Sequence, residues 1–313
     1  MNHECERCCE CHDEDPFNGR TYLYIRRHPD DYGLEPLPVG LPGYISPAIS
    51  IITPDGVRAT EVVPDGKYEI EVVVTNSGGI IATDAFVEVF FSGPTTAFIP
   101  IIANKIGHAF VTVQAHSTAS VRIPWRPLPS QSGHLCLTAR VSLIAPPDTF
   151  KDPNTFDVYQ DRHIAQRNIN VINLKGEQDF SFDFDLVNPL PLENTGELIL
   201  QTRFANVDEM EDTINQALGC CFSHFSNSSF GEISLEIDEN KQELDEEGRC
   251  GVYIPDNVVK KARLIVKGLK EDSNPCKLLH LLEVKLIQPE LQNDSDETMH
   301  DHSIGGLWVI INP

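Results

Sequence analysis

From about Tyr44 onward the chain alternates apolar and polar residues with a period of two, broken at short intervals by turn dipeptides. Tyr68, Ile70, Val72 and Val74 share one face of KYEIEVVVT, with Glu69 and Glu71 on the other. Ala85, Val87 and Val89 alternate with Glu88, and Val121, Ile123 and Trp125 with Arg122. Leu135, Leu137, Ala139, Val141 and Leu143 form a further one-sided run. Pro54-Asp55-Gly56, Pro64-Asp65-Gly66, Gly78-Gly79 and Gly93-Pro94 supply the turns. Successive strand side chains point to opposite faces, so such runs predict strands buried on one side, and their close spacing without helices predicts an antiparallel sandwich.

A second zone repeats the pattern. Phe180, Phe182, Phe184 and Leu186 alternate with Ser181, Asp183 and Asp185. One-sided runs follow around Leu198–Phe204, Ile233–Ile237, Ala262–Val266, Leu278–Leu286 and Leu307–Ile311. One helix interrupts: Asn206 and Glu209 read as its cap, Val207, Met210, Ile214 and Leu218 as its apolar stripe, and Gly219 as its stop. The stripe reads as core cover rather than a docking face. Before the strands lie a Cys/His/acid tail, residues 1–19, and a proline-punctuated arm, residues 20–43, with Pro29, Pro36, Pro38 and Pro42. Proline fixes φ and removes a donor, so the arm is expected to run as irregular or polyproline-like chain, open to strand addition. The joint between the zones is expected near Leu174 to Gln178.

Charge narrows the function classes. Asp and Glu total 47 against 24 Lys and Arg, a formal net charge of −23. Such a surface repels phosphate backbones and anionic lipids, which argues against nucleic acid as a partner. The absence of any 18-residue apolar run argues against membrane insertion. The opening MNHECERCCE has no apolar stretch like a secretory signal, so the expected location is cytoplasmic; the alternative is surface or extracellular by a non-Sec route. The acidic runs Asp238–Glu247 and Glu290–Asp301 lack calcium-loop spacing and read as solvated loops.

Candidate chemistry gathers in the tail. Cys5, Cys8, Cys9 and Cys11, with His12 beside them and His3 nearby, form overlapping Cys-x-x-Cys pairs that can wrap a tetrahedral soft-metal site, Zn²⁺ being the commonest occupant. Cys8 to His12 also fits the c-type haem attachment string. The alternative is a tail whose thiols stay unliganded or cross-link neighbouring chains. Cys136, Cys220, Cys221, Cys250 and Cys276 read as reduced, mostly small hydrophobes. His300 and His302 could share a strand face without a third ligand in view. Asp148, Asp152, Asn154, Asp157 and Asp161, with Lys151 and Arg162, line a long connection; these read as loop acids that nothing positions. Hydrolase, zincin, P-loop and dinucleotide motifs are absent from the sequence.

Residues 44–173 resemble bacterial immunoglobulin-like domains of the CARDB type, the cell-adhesion-related domain. The resemblance is carried by YISPAISI, YEIEVVVTNSGG, VRIPWRPLP, GHLCLTARVSL and DRHIAQRNI, in that order. It implies a seven-stranded-type sandwich used for binding or as a spacer, with no catalytic residues. The whole therefore reads as all-β: two tandem immunoglobulin-like sandwiches, residues 44–173 and 178–313, behind the tail and the arm. The expected role is non-catalytic, a structural or interaction protein that binds a protein partner or itself through sandwich loops or edges, with the tail as tether. A metal-binding or redox protein built on the Cys cluster is the alternative, and a hydrolase with loop-borne carboxylates the third reading.

Overall fold

The computed structural model describes residues 17–129, 135–174, 177–190, 197–205, 210–218, 232–268, 279–289 and 302–312. The protein is all-β, with four sheets paired into two sandwiches.

In the first sandwich, β4 (Tyr68–Asn76) is the hub of one sheet. It pairs along its full length with β7 (Ser117–Trp125) on one side. On the other side it pairs with β1 (Leu23–Tyr24) and β2 (Ile49–Ile52), and β3 (Arg58–Ala59) lies outside β2. The facing sheet runs β6 (Asn104–Val113), β5 (Ala82–Ser92), β8 (Cys136–Ser142) and β9 (Ile164–Arg167). Ile70, Val72 and Val74 meet Val87, Val89, Ala139 and Val141 between the sheets, the faces that alternation assigned to the core. Cys136 points the other way, into a smaller cluster with Phe90, Phe98, Phe156 and Ile164.

In the second sandwich one sheet runs β10 (Ile169–Asn173), β18 (His302–Asn312), β17 (His280–Gln288), β12 (Leu198–Phe204) and β15 (Arg249–Val252). The other runs β11 (Phe180–Val187), β16 (Val259–Lys267), β13 (Glu232–Ile237) and β14 (Asn240–Lys241). Phe182, Phe184 and Leu186 pack onto Leu264, Val284 and Leu307. The helix α1 (Glu211–Leu218) buries Ile214, Ala217 and Leu218, with Glu211 and Asp212 in its first turn, where the helix dipole favours acid. It covers core as expected; its cap and stop residues lie outside the described residues.

The antiparallel sandwiches are as expected, with one addition among the described strands: β10 runs parallel to β18. Two expectations are corrected. The arm is not a free extended segment. Leu23 and Ile25 sit in the first core, β1 is already a strand of its own sheet, and Arg27 and Leu37 are buried. The prolines concealed a Thr-Tyr-Leu-Tyr-Ile run, residues 21–25, rich in the aromatic and branched residues that sheets favour. Finally, sheet membership changes at Asn168, between β9 and β10, rather than near Leu174, which lies in the second core.

The change of sheet occurs inside one extended run, so no turn residue marks it. Tyr44, Ile45, Ile169, Leu281, Trp308 and Ile310 bury a third cluster there, joined by α1. The Asn168 N–H donates to Tyr44 O (2.8 Å), and the Trp308 N–H donates to Asn168 O (2.9 Å). The Asn168 side-chain amide donates to Thr95 O (3.2 Å) and Gly306 O (3.1 Å). Gly306 leaves no room for a side chain: a Cβ there would lie 2.5 Å from the Tyr44 ring and 2.5 Å from Val284 O. Gly306→Ala is therefore expected to destabilise the fold by about 1–3 kcal/mol. Urea unfolding checks this, together with amide exchange, which should show the Asn168 and Trp308 amides losing protection first.

Candidate functional site

The densest chemistry lies where the arm meets the connection between β8 and β9. His163, the residue before β9, directs both ring nitrogens at carboxylates: Nδ1 lies 2.8 Å from Asp161 Oδ1 and Nε2 lies 2.9 Å from Asp148 Oδ1. Asp148 also accepts Arg162 Nη2 (2.6 Å) and the Leu23 N–H (2.6 Å), which pins β1. Asp161 accepts the N–H groups of His163 (3.0 Å) and Lys151 (2.6 Å). Glu35 on the arm accepts the Arg162 N–H (2.8 Å) and Nη1 (3.0 Å). The Arg162 guanidinium lies 4.1 Å from the centre of the Tyr22 ring. Beside this, fully buried Arg27 donates Nε (2.7 Å) and Nη2 (2.9 Å) to Asp31, and Nη1 to Val158 O (3.2 Å).

Burial opposes charge on each of these groups, and the partners outweigh it. For His163, hydrogen bonds to Asp148 and Asp161 raise the pKa above the ordinary 6.5 despite desolvation. For Asp148 and Asp161, hydrogen bonds from His163 and backbone N–H groups hold the carboxyls below the ordinary 3.8 despite the same penalty. An imidazolium with both N–H groups donated has no lone pair with which to act as a base. Glu35, Asp161 and His163 bring one ligand atom each within 4.8 Å of one another. Arg162 and the His163 ring already hold those atoms, so the arrangement is a closed polar network and a poor metal cage. Its work is to clamp the arm to the sandwich.

The expectation that nothing positions these loop acids is thus corrected for Asp148 and Asp161. Asp157 accepts the N–H groups of Tyr159 and Gln160 as a turn cap, and burial raises its pKa. Asp152 caps an exposed turn by accepting the Asn154 N–H. Sequence reading missed His163; the signal was Asp161-Arg162-His163, three charged or titratable residues directly before a buried strand. Cys5, Cys8, Cys9, Cys11 and His12 lie outside the described residues, as do His300, Cys220, Cys221 and Cys276. His302 opens β18 with its ring 5.8 Å from that of Tyr159. Cys136 and Cys250 are free thiols, and burial pushes them up to about 12 and about 11, so both stay protonated at neutral pH.

Three surface features stand apart from this network. Among the described residues β6 pairs only with β5 and β7 only with β4, so each has an edge without a ladder partner, and the two strands lie beside each other. At the loop end of β4 and β7 a groove of about 550 Å³ runs between Pro54, Tyr68, Pro124 and Trp125. The Tyr68 and Trp125 rings are 6.4 Å apart. Arg122 at its side is paired with Glu69 and Glu71, and Arg126 with Asp65. On the outer face of β5 and β6, Phe86, His108 and Phe110 form an aromatic ladder, with Phe110 61% exposed.

No family model matches the chain, and no curated protein matches it. Solved structures similar to it include a CARDB domain from Pyrococcus furiosus in complex with di-metal ions. That likeness has 18% identity, covers 38% of this chain and 87% of that one, and has a TM-score of 0.22. The CfaE adhesin of enterotoxigenic E. coli is 8% identical, with 94% of each chain covered and a TM-score of 0.27. Red sea bream transglutaminase is 13% identical over 85% of this chain and 31% of that one, at a TM-score of 0.20. Likenesses at such scores carry no argument, and the architecture rests on the strand pairing itself. No helix among the described residues is long and apolar enough to cross a membrane.

The network makes stability depend on pH. The His163 pKa in the fold exceeds the 6.5 of the free ring, so its contribution is complete below that value and is lost as pH rises through the folded one. The depressed Asp148 and Asp161 contribute above 3.8, and that contribution is lost as pH falls through their folded values. His163→Gln, neutral throughout, is expected to cost about 2 kcal/mol between roughly pH 4 and 6.5 and progressively less at higher pH. Urea midpoints of both proteins across the pH range measure this; a pH-independent difference would show that the buried ring is neutral.

Proposed function

We propose that the chain is a non-catalytic interaction protein that binds a protein partner at the loop end and open edge of its first sandwich. The observation that carries this reading is the juxtaposition of the unpaired β7 edge with the aromatic groove at its end. An exposed edge offers backbone donors and acceptors in a row to an incoming extended segment, and adjacent pockets select its side chains. Tyr68, Trp125, Pro54 and Pro124 give the groove apolar walls, while the ion pairs of Arg122 and Arg126 occupy its rim. The buried charges near the arm support the same reading, because they hold segments together and expose no base or nucleophile.

A photo-cross-linking amino acid at exposed Val57, beside the groove, tests this against the same probe at exposed Tyr253 on the second sandwich. In extract of cells that express the chain, Val57 is expected to give one discrete protein adduct and Tyr253 none. Added wild-type chain should compete for the adduct; Pro54→Arg, at an exposed position on the groove, should fold and fail to compete. Equal adducts at both positions, or full competition by the variant, would overturn the reading.

In this proposal residues 1–19 are a tether, through Zn²⁺ on Cys5, Cys8, Cys9, Cys11 and His12 or through disulfides between chains. Native mass spectrometry of protein purified without chelator, followed by thiol counting, should show bound metal or linked chains. Both should disappear when the four cysteines become serine. A metal-free monomer in which all 9 thiols react would remove the tether.

A further inference from the structure

Acidic residues are spread along the chain except in one stretch. The sequence holds 47 Asp and Glu, yet none falls between Glu88 and Asp148. That stretch supplies the whole of β6 and β7. On β6 itself Lys105 is the only Lys, Arg, Asp or Glu. It is held at 2.7 Å by buried Glu88, which also accepts Arg140 Nε at 2.7 Å. Asp84, the other acid on β5, sits in the bulge beside Thr112, where its N–H donates to Oγ1 (3.3 Å). Between these two points Gly107–Val111 pairs regularly with Ala85–Val89 and carries no carboxylate, Lys, Arg or Pro.

Strand edges are ordinarily guarded by charge, by proline or by shortness. β7 carries Arg122 and Pro124, and β3 and β14 have two residues each. β6 has ten residues and, among the described residues, pairs only with β5. His108, Phe110 and Thr112 are exposed on its outer face. The Phe86 ring lies 5.1 Å from that of His108 and 5.2 Å from that of Phe110, and Phe110 is 61% exposed. Burial of these rings favours a partner, and charge selects which one. Copies that each carry −23 repel wherever their carboxylates face each other, but a second β6 brings no carboxylate to the contact. A neutral edge gives a strongly charged segment of either sign nothing to pair with. It is also complementary to itself, because a two-fold axis sets the strand antiparallel to its own copy.

We propose that two copies of this chain pair antiparallel through their β6 edges, with Phe110 opposite Phe110 of the second copy. This register brings the exposed ring against its equivalent and sets His108 opposite Thr112, so the two outer aromatic rows become one. The contact uses the same edge on both copies, so assembly closes at two. The groove of Tyr68 and Trp125 is lined from β2, β4, β7 and the loops beside them, so the two contacts are separately testable.

Sedimentation velocity of the full chain over a range of concentrations tests the pairing, with reductant and chelator present so that the tail cysteines neither cross-link nor hold metal. A monomer–dimer equilibrium is expected, and it should tighten as salt rises, because screening relieves the repulsion between the copies. Phe110→Glu, at an exposed position, should keep the wild-type melting temperature and weaken dimerisation at least about tenfold. Phe110→Lys should do the same, and an equimolar mixture of the two should dimerise more tightly than either alone. Amide exchange of the wild-type chain at low and high concentration needs no variant: residues 107–113 should gain protection with concentration. A chain monomeric at every concentration, a dimer that salt weakens or that Phe110→Glu leaves intact, or protection gained only at another edge would overturn the proposal.

Discussion

The strand run Ile164–Asn173 belongs to two cores at once, and the rest of the architecture follows from that sharing. Its first part closes a sheet of the first sandwich and its last part lies parallel to β18 in the second, with Asn168 between. Buried backbone groups must find partners, and a chain that leaves one sheet for another normally does so through an exposed linker. Here the side chain and backbone of Asn168 satisfy groups from three other segments, at Tyr44, Thr95 and the Gly306–Trp308 stretch. The Pro94–Thr96 segment adds to the joint: Asp185 N–H donates to Pro94 O and Thr96 N–H to Asp185 O, which caps part of the β11 edge. With Trp308 and Tyr44 buried across the seam, the two sandwiches share their packing there.

Charge is used in the interior for attachment. Removing a carboxylate or a guanidinium from water costs several kcal/mol, and a single partner seldom recovers it. In this protein two buried carboxylates each have several partners. Asp148 collects a ring, a guanidinium and a backbone N–H, and Glu283 collects a phenol, an indole and two cations. The partners come from distant parts of the chain: Glu35 on the arm meets Arg162, and Tyr44 of the first sandwich meets Glu283 of the second. Apolar residues of similar size would give comparable stability but would tolerate slippage. Directional bonds fix one register for an arm that has little regular structure of its own.

Most of the strands were legible because one-sided burial prints its period on the sequence. Ile70, Val72 and Val74, or Phe182, Phe184 and Leu186, can be assigned to a core without knowing what faces them. The arm was not legible, because its prolines mask the residue 21–25 run and because β1 depends on a partner about fifty residues away. The crossing at Asn168 was hidden since an extended chain that changes sheets keeps the same local pattern. His163 was hidden for a related reason: a titratable residue before a strand looks like a solvated loop until Asp148 folds back over it. One row across β15, β12 and β17 is the extreme case. Arg249, Gln201 and Lys285 become neighbours only through register, which no local spacing encodes.

Net charge governs what meets the surface and says little about the interior. A formal charge of −23 acts on a long polyanion, whose many phosphates sample the whole surface and meet mostly repulsion. A single small ion samples far less. Beyond about 10 Å at 0.1 M salt the distant carboxylates are screened, so inside a pocket the nearest groups decide the potential. Around the buried Glu283 carboxylate those groups are Arg203 and Lys285, at 3.3 and 3.1 Å. Repulsion of a polyanion and the pairing of buried charges are therefore the same electrostatics at two lengths. The first is set by composition; the second follows from which strand lies beside which.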